Sequence, residues 1–194
     1  EFKAQDDPSI QPGIDDVQCF ICESFTADSD GNITVVLPDG LKSAYGNEIS
    51  SDDVLYTFER VLANDFVFRF LMGVGSWNTE NPITKVDDKT FIVNVTNNVP
   101  FTLGTLTWYS GSILDATEVK SHATDDDPWA KEWMAGNSAT YGPYHLSSFS
   151  SGENATLSLN PGWNKFVPTY SDVVITAVPD SATRLQAMLT GAAD

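Results

Sequence analysis

Alternation of apolar and polar positions first becomes regular at residues 32–37. There Ile33, Val35 and Leu37 fall on one face, opposite polar or smaller partners, which predicts a strand with one buried side. The turn Asp28-Ser-Asp-Gly31 leads into it and Pro38-Asp39-Gly40 ends it. The period then changes. Ser50-Ser51-Asp52-Asp53 has the composition of a helix start, with a hydroxyl available to an orphan N–H and acidic groups at the positive helix end. Val54, Leu55, Phe58, Val61 and Leu62 follow at the spacing that lines one helical face.

Alternation returns at residues 83–86 and 90–95, joined tightly through Asp87-Asp88, and predicts a hairpin. Residues 100–109 are apolar and ambiguous between helix and strand. Residues 115–120 read as a short helix, and Asp127-Pro128 supplies a cap and a first-turn proline for another that stops near Gly136. A second hairpin, 144–149 and 155–159, flanks Ser151-Gly152. Residues 173–178 form a further strand. Residues 181–189 form a helix with Ala182, Leu185, Met188 and Leu189 inward and Gly191 as its stop. The class is mixed α/β, with no internal repeat, no low-complexity tract and a polar first segment running to about Gln18.

Charge narrows the partners. Ten Lys and Arg stand against 27 Asp and Glu, a net charge of -17, so the long-range field repels nucleic acid and anionic membrane surfaces. No stretch approaches the ~20 apolar residues of a membrane span, and residues 1–7 carry neither a basic nor an apolar export region. Three glycosylation sequons, at Asn32, Asn94 and Asn154, are read as chance.

Several residue groups invite chemistry. Cys19 and Cys22 have the spacing of a redox or half-metal motif, but nothing helical follows Cys22 to stabilise a thiolate, and only His122 and His145 exist as further soft ligands. A structural disulfide or a pair of buried thiols is favoured over metal or redox chemistry. His122 with Asp125, Asp126 and Asp127 fits a capped, solvated helix start better than a cation site, and the turn beginning at Asp28 lacks the later acidic ligand of a calcium loop. Gly73-Val-Gly-Ser-Trp77 is not in the order of a nucleophile elbow, and carboxylate number alone does not make a glycosidase. The expectation is a protein that is not an enzyme and needs no cofactor. The aromatics Trp77, Trp108, Tyr109, Tyr141 and Trp163 lie in or beside loops, where flat rings stack on solutes when they are not core.

Four segments, in order, resemble the family 5 bacterial solute-binding proteins of oligopeptide, dipeptide and nickel importers. Asp39-Gly-Leu-Lys-Ser-Ala-Tyr-Gly46 with Ile49-Ser-Ser-Asp-Asp-Val-Leu-Tyr-Thr-Phe-Glu-Arg60 is similar to the family's D-G-x-K-F-x-D-G and L-T-A-x-D-V-x-Y-S-x-E-R. It departs at Ser43, where an aromatic is usual, and at Tyr45, where aspartate is common. Ile83-Thr-Lys-Val-Asp-Asp-Lys-Thr-Phe-Ile-Val93 resembles a hairpin of the family's second domain, and Pro100-Phe101 with Leu103 and Leu106 resembles the P-F-L segment after it. Tyr141-Gly142-Pro143-Tyr144 resembles G-T-G-P-Y, with Thr140 and Tyr141 replacing its first glycine and threonine, and Asn160-Pro161-Gly162-Trp163 resembles N-P-x-Y-W. The last segment shares Pro179, Asp180, Arg184, Leu189, Gly191 and Asp194 with the family's anchors.

The resemblance covers residues 23–194 and implies a partial type II periplasmic-binding-protein fold. Residues 1–30 would be an N-terminal, partly irregular segment of the first lobe, 31–140 a second domain, and 141–194 the central part of the first lobe, the C-terminal lobe lying outside this chain. It implies a solute receptor of an ABC importer, extracytoplasmic and monomeric, that docks on the permease subunits and captures oligopeptides. An oligosaccharide receptor of the same family, or a secreted carbohydrate-binding or hydrolytic module, is the alternative. The expected ligand-binding residues are Trp77, Trp108, Tyr109, Ser110 and Tyr141. The family's anchors for peptide termini lie mostly in the other lobe, so this segment alone is expected to bind weakly.

Overall fold

The structure is a computed structural model, and it describes residues 1, 3, 9 and 13–194. Its first sheet holds four antiparallel strands in the order β1-β2-β4-β3: β1 (Ser24–Ala27), β2 (Ile33–Val36), β3 (Ile83–Lys85) and β4 (Thr90–Val93). Register aligns the apolar positions that alternation had put on one face. Ile33 pairs with Val93, Val35 with Phe91, and Ile83 with Val93. All five are buried, since a side-chain period of two sends every second residue to the same side.

Helix α1 (Ser51–Ala63) packs Val54, Phe58 and Val61 onto that face, with Leu55 and Leu62 half-buried beside them. The helix start differs from the expectation in one detail. The Ser50 hydroxyl donates to Asp53 at 2.8 Å, and the same Asp53 oxygen accepts the Ser50 backbone N–H at 2.8 Å. The carboxylate is therefore the acceptor that satisfies this end. Helix α2 (Phe68–Val74) adds Phe68 and Met72 to the core. Phe58, Phe68 and Trp77 meet there as an aromatic trio with centroid separations of 4.9–5.7 Å.

The ambiguous stretch resolves as helix α3 (Phe101–Thr105) and a 3-10 turn, Tyr109–Gly111. Helix α4 (Ala116–Ser121) begins at Asp115, whose side chain accepts the Glu118 N–H. It packs Ala116 and Val119 against Tyr56 on the far side of α1, building a second, smaller core with Leu114, Ala130 and Ala139. The expected helix after Pro128 is shorter. Residues 128–130 turn, Ala130 takes a left-handed φ of 47°, and α5 (Lys131–Met134) starts only beyond it. Asp127 still serves as acceptor, from the Glu132 N–H at 2.9 Å.

The second sheet is antiparallel in the order β5-β6-β7: β5 (Tyr144–Ser150), β6 (Asn154–Leu159) and β7 (Asp172–Thr176). Helix α6 (Ser181–Thr190) follows, capped by Asp180 and closed by Gly191 at φ 69°. Its apolar stripe does not point inward: Leu185, Met188 and Leu189 are 58–73% exposed. Periodicity identifies which residues share a face but says nothing about what covers it.

Asn160 and Gly162 join this part to the first. The Asn160 amide donates to the Lys42 and Gly142 carbonyls, both at 2.9 Å. Gly162 sits so close that a Cβ there would lie 2.5 Å from the Lys42 oxygen. Only glycine permits that approach.

Candidate functional site

A cavity of about 300 Å³ opens between the 17–22 loop, the end of α3 with the segment that follows it, and residues 140–142. Each wall is placed by a feature of the sequence. Cys19 and Cys22 are joined as a disulfide, which folds Phe20 and Ile21 into a tight turn on one side. Leu103 and Leu106, from α3 and its end, line it too, as do Phe25 and Phe91 of the first sheet. The lining is mainly carbon. A concave apolar site of this size is at the small end of what small-molecule sites occupy.

The two expected residues Trp108 and Tyr109 stand at its mouth, 46% and 79% exposed, with ring centroids 6.2 Å apart. A bare aromatic pair beside an apolar hollow offers flat area to a solute at low entropic cost. Ser110 lies in the same 3-10 turn, and its side chain is outside the described residues. Tyr141 borders the cavity but is 1% exposed, a buried wall residue rather than an accessible one. Its hydroxyl is directed at the Asp53 carboxylate without reaching hydrogen-bond geometry. Burial first, and then the nearby Asp53 and Asp115 carboxylates, push its ionisation well above the ordinary tyrosine range.

Trp77 does not border the cavity. It is 3% exposed in the aromatic core, and its indole N–H donates to the Thr105 hydroxyl at 2.9 Å. Trp163 packs against Phe20 at 5.3 Å and Phe166 at 5.1 Å. Phe20 and Ile21 were not singled out from sequence, and Leu103 and Leu106 were read only as part of the segment resembling the family's P-F-L, not as site residues. The one signal for the first two was an apolar pair set between cysteines in a polar segment.

Other groups that invited chemistry are engaged elsewhere. His122 meets Glu118 at 2.9 Å and stacks flat on Trp133 at 4.0 Å. Among the described residues, no group of three or more His, Cys, Asp and Glu side chains is placed to hold a metal ion. A second, more polar hollow of about 720 Å³ has Lys89 and Lys165 on its wall, but both ammonium groups are already occupied. Lys89 bonds Glu48 and the Pro38 and Ile49 carbonyls, and Lys165 bonds the Cys22 carbonyl.

Comparison with known proteins places the chain. Residues 17–194 match the family model described as bacterial extracellular solute-binding proteins, family 5 middle, so the chain belongs to that family. It is 30% identical over 176 residues to the probable D,D-dipeptide-binding periplasmic protein DdpA of Escherichia coli, covering 89% of this chain and 32% of that one. Among solved structures, the periplasmic binding protein DppA from Helicobacter pylori, in complex with a peptide, superposes with a TM-score of 0.74 at 21% identity, over 89% of this chain and 36% of that one. AgaA from A. tumefaciens, in complex with agropinic acid, superposes at 0.75 and 22%, over 94% and 35%. The chain thus spans about a third of the length of these relatives, and the fold it shares with them is a partial periplasmic-binding-protein fold. Among the described residues, no helix is long and apolar enough to cross a membrane.

Proposed function

We propose that this chain is part of the extracytoplasmic solute receptor of an ABC importer and that its solutes are oligopeptides. The observation that carries the reading is the apolar cavity with Trp108 and Tyr109 uncovered at its mouth. Such a surface takes apolar side chains without matching charge, which suits solutes that share a backbone and differ in their side chains. DdpA is named for dipeptides and the Helicobacter pylori structure holds a peptide, both in support of this solute class.

In this reading residues 31–140 form the second domain, and 1–30 with 141–194 contribute to the first lobe. Solute bridges that body and a further lobe, which favours the closed state that docks, as a monomer, on the permease. Binding and release, with no covalent step, make up its cycle.

The test is thermal denaturation of the full-length protein against di- to hexapeptides, oligosaccharides and Ni²⁺. A ligand selective for the native state raises stability by RT ln(1 + [L]/Kd). Stabilisation by peptides is the expected result. Stabilisation by sugars or Ni²⁺ alone overturns the solute class and keeps the family.

A further inference from the structure

The Cys19–Cys22 turn has a feature that a simple staple does not need. Its two enclosed residues, Phe20 and Ile21, are both apolar, and both border the cavity. Several contacts hold the turn. Phe20 packs on Trp163 at 5.3 Å and on Phe166 at 6.2 Å. Ile21 and Cys22 rest against the main core. The Lys165 ammonium donates to the Cys22 carbonyl at 2.8 Å. Trp163 is fixed in turn by the Asn160 turn, which also bonds the carbonyl of Gly142 on the cavity wall. Four residues without a cross-link would sample many conformations in water. The disulfide removes most of them before any solute arrives, so ordering this wall costs little at the moment of binding.

We propose that the disulfide-closed turn is a specificity element: it presets Phe20 and Ile21 as the wall that receives an apolar side chain of the bound peptide. This rests on the peptide-receptor reading above. Leu103 and Leu106 line the same cavity, so a side chain inserted there is surrounded mainly by carbon. An alanine-sized side chain leaves that contact unmade. The turn therefore governs discrimination between peptides more than affinity for the backbone they share.

The experiment uses the full-length protein, calorimetric titration with trialanine, and tripeptides carrying leucine or phenylalanine at each position in turn. Two variants are compared with wild type: Phe20→Ala, which keeps the disulfide, and Cys19→Ser with Cys22→Ser, which removes it. Wild type is expected to prefer the best apolar tripeptide over trialanine by about tenfold or more, the scale on which an apolar pocket discriminates. Each variant should lose most of that preference, with the apolar tripeptides weakened by a much larger factor than trialanine. An unchanged preference in both variants overturns the proposal, as does an equal loss of affinity for every peptide, which marks a purely structural role. Wild type binding all tripeptides alike overturns the specificity role and leaves the peptide receptor standing. Binding of no peptide overturns both.

Discussion

The Ser43 hydroxyl donates to the Asp115 carboxylate at 2.5 Å across 72 residues of sequence, tying the 39–46 loop to the start of α4. This explains a departure from the family pattern: a serine stands where an aromatic is usual because its neighbour is a buried acceptor. Asn47 donates to the same carboxylate, and Asp115 also caps the Glu118 N–H. Asp115→Ala strands three donors at once and is expected to cost about 3–4 kcal/mol. Ser43→Ala removes one of them and should cost about 1 kcal/mol. Urea denaturation of both variants checks the ratio. Equal losses would mean that the carboxylate does not organise the loop.

The contact of Gly162 with Lys42 predicts a contrast between two glycines. At Gly162 a Cβ would meet backbone at 2.5 Å, so Gly162→Ala forces the Asn160 turn away from the 39–46 loop and should cost about 1–3 kcal/mol. At Gly152, in the β5–β6 turn, φ is 79° with nothing within 4 Å, and alanine should cost only the left-handed backbone, about 1 kcal/mol. Chemical denaturation of the pair distinguishes a joint between the two parts of the chain from a simple turn.

Two tryptophans that look alike in sequence separate in the structure. Trp77→Phe loses the bond to Thr105 and part of the aromatic core, an expected 1–3 kcal/mol or so of stability, with solute affinity unchanged. Trp108→Ala, at the exposed mouth, should leave stability within about 0.5 kcal/mol and weaken solute binding by roughly tenfold. Measuring melting temperature and affinity on both variants tests the assignment. The reversed pattern would move the site into the core.

That separation marks how far the sequence could be read. Elements with one buried face declared themselves, as β2, α1 and the β3–β4 hairpin did, because burial imposes a period, while the β5–β6 hairpin, with no buried residue in either strand, showed through its Ser151-Gly152 turn. Strand β1 was not singled out: it pairs on one side only, and three of its four residues are exposed, so no alternation survives. Helix α2 was missed because it starts at Phe68, just after a left-handed Asp65, and its N-cap Val67 offers no side-chain cap. At the site, Trp108 and Tyr109 were legible as loop aromatics. Phe20 and Ile21 were not, since their place on the cavity belongs to a disulfide-closed turn that packs on Trp163, 143 positions beyond Phe20.

Acid should destabilise the fold, and the sign follows from the surface carboxylates. The Asn32 side chain and nearby N–H groups hold Asp28 below its ordinary range; Lys89 and the Gly40 N–H do so for Glu48, and the Thr183 hydroxyl and N–H for Asp180. A carboxyl whose folded value is depressed contributes stability that is present above its unfolded value and is lost as pH falls through the folded one. Melting temperature should therefore drop steadily below about pH 4, near the unfolded carboxylate values. Asp28→Asn and Asp180→Asn together should flatten that slope. A profile unaltered by the pair would show that these bonds do not favour the charged form.

Tyr141 gives the opposite limb. Its ionisation is pushed above the ordinary value by burial and by the Asp53 and Asp115 carboxylates. The folded state therefore favours the neutral phenol. That contribution is complete below the unfolded value of about 10 and is lost as pH rises beyond it. Tyr141→Phe has no proton to lose, so alkaline unfolding should shift to higher pH. At pH 7 the same change deletes a buried hydroxyl that has no hydrogen-bond partner, and stability should stay level or rise by up to about 1 kcal/mol. Denaturation at pH 7 and pH 10.5 checks both halves. A clear loss at pH 7 would mean that the hydroxyl is bonded to Asp53 after all, and that the cavity wall depends on that bond.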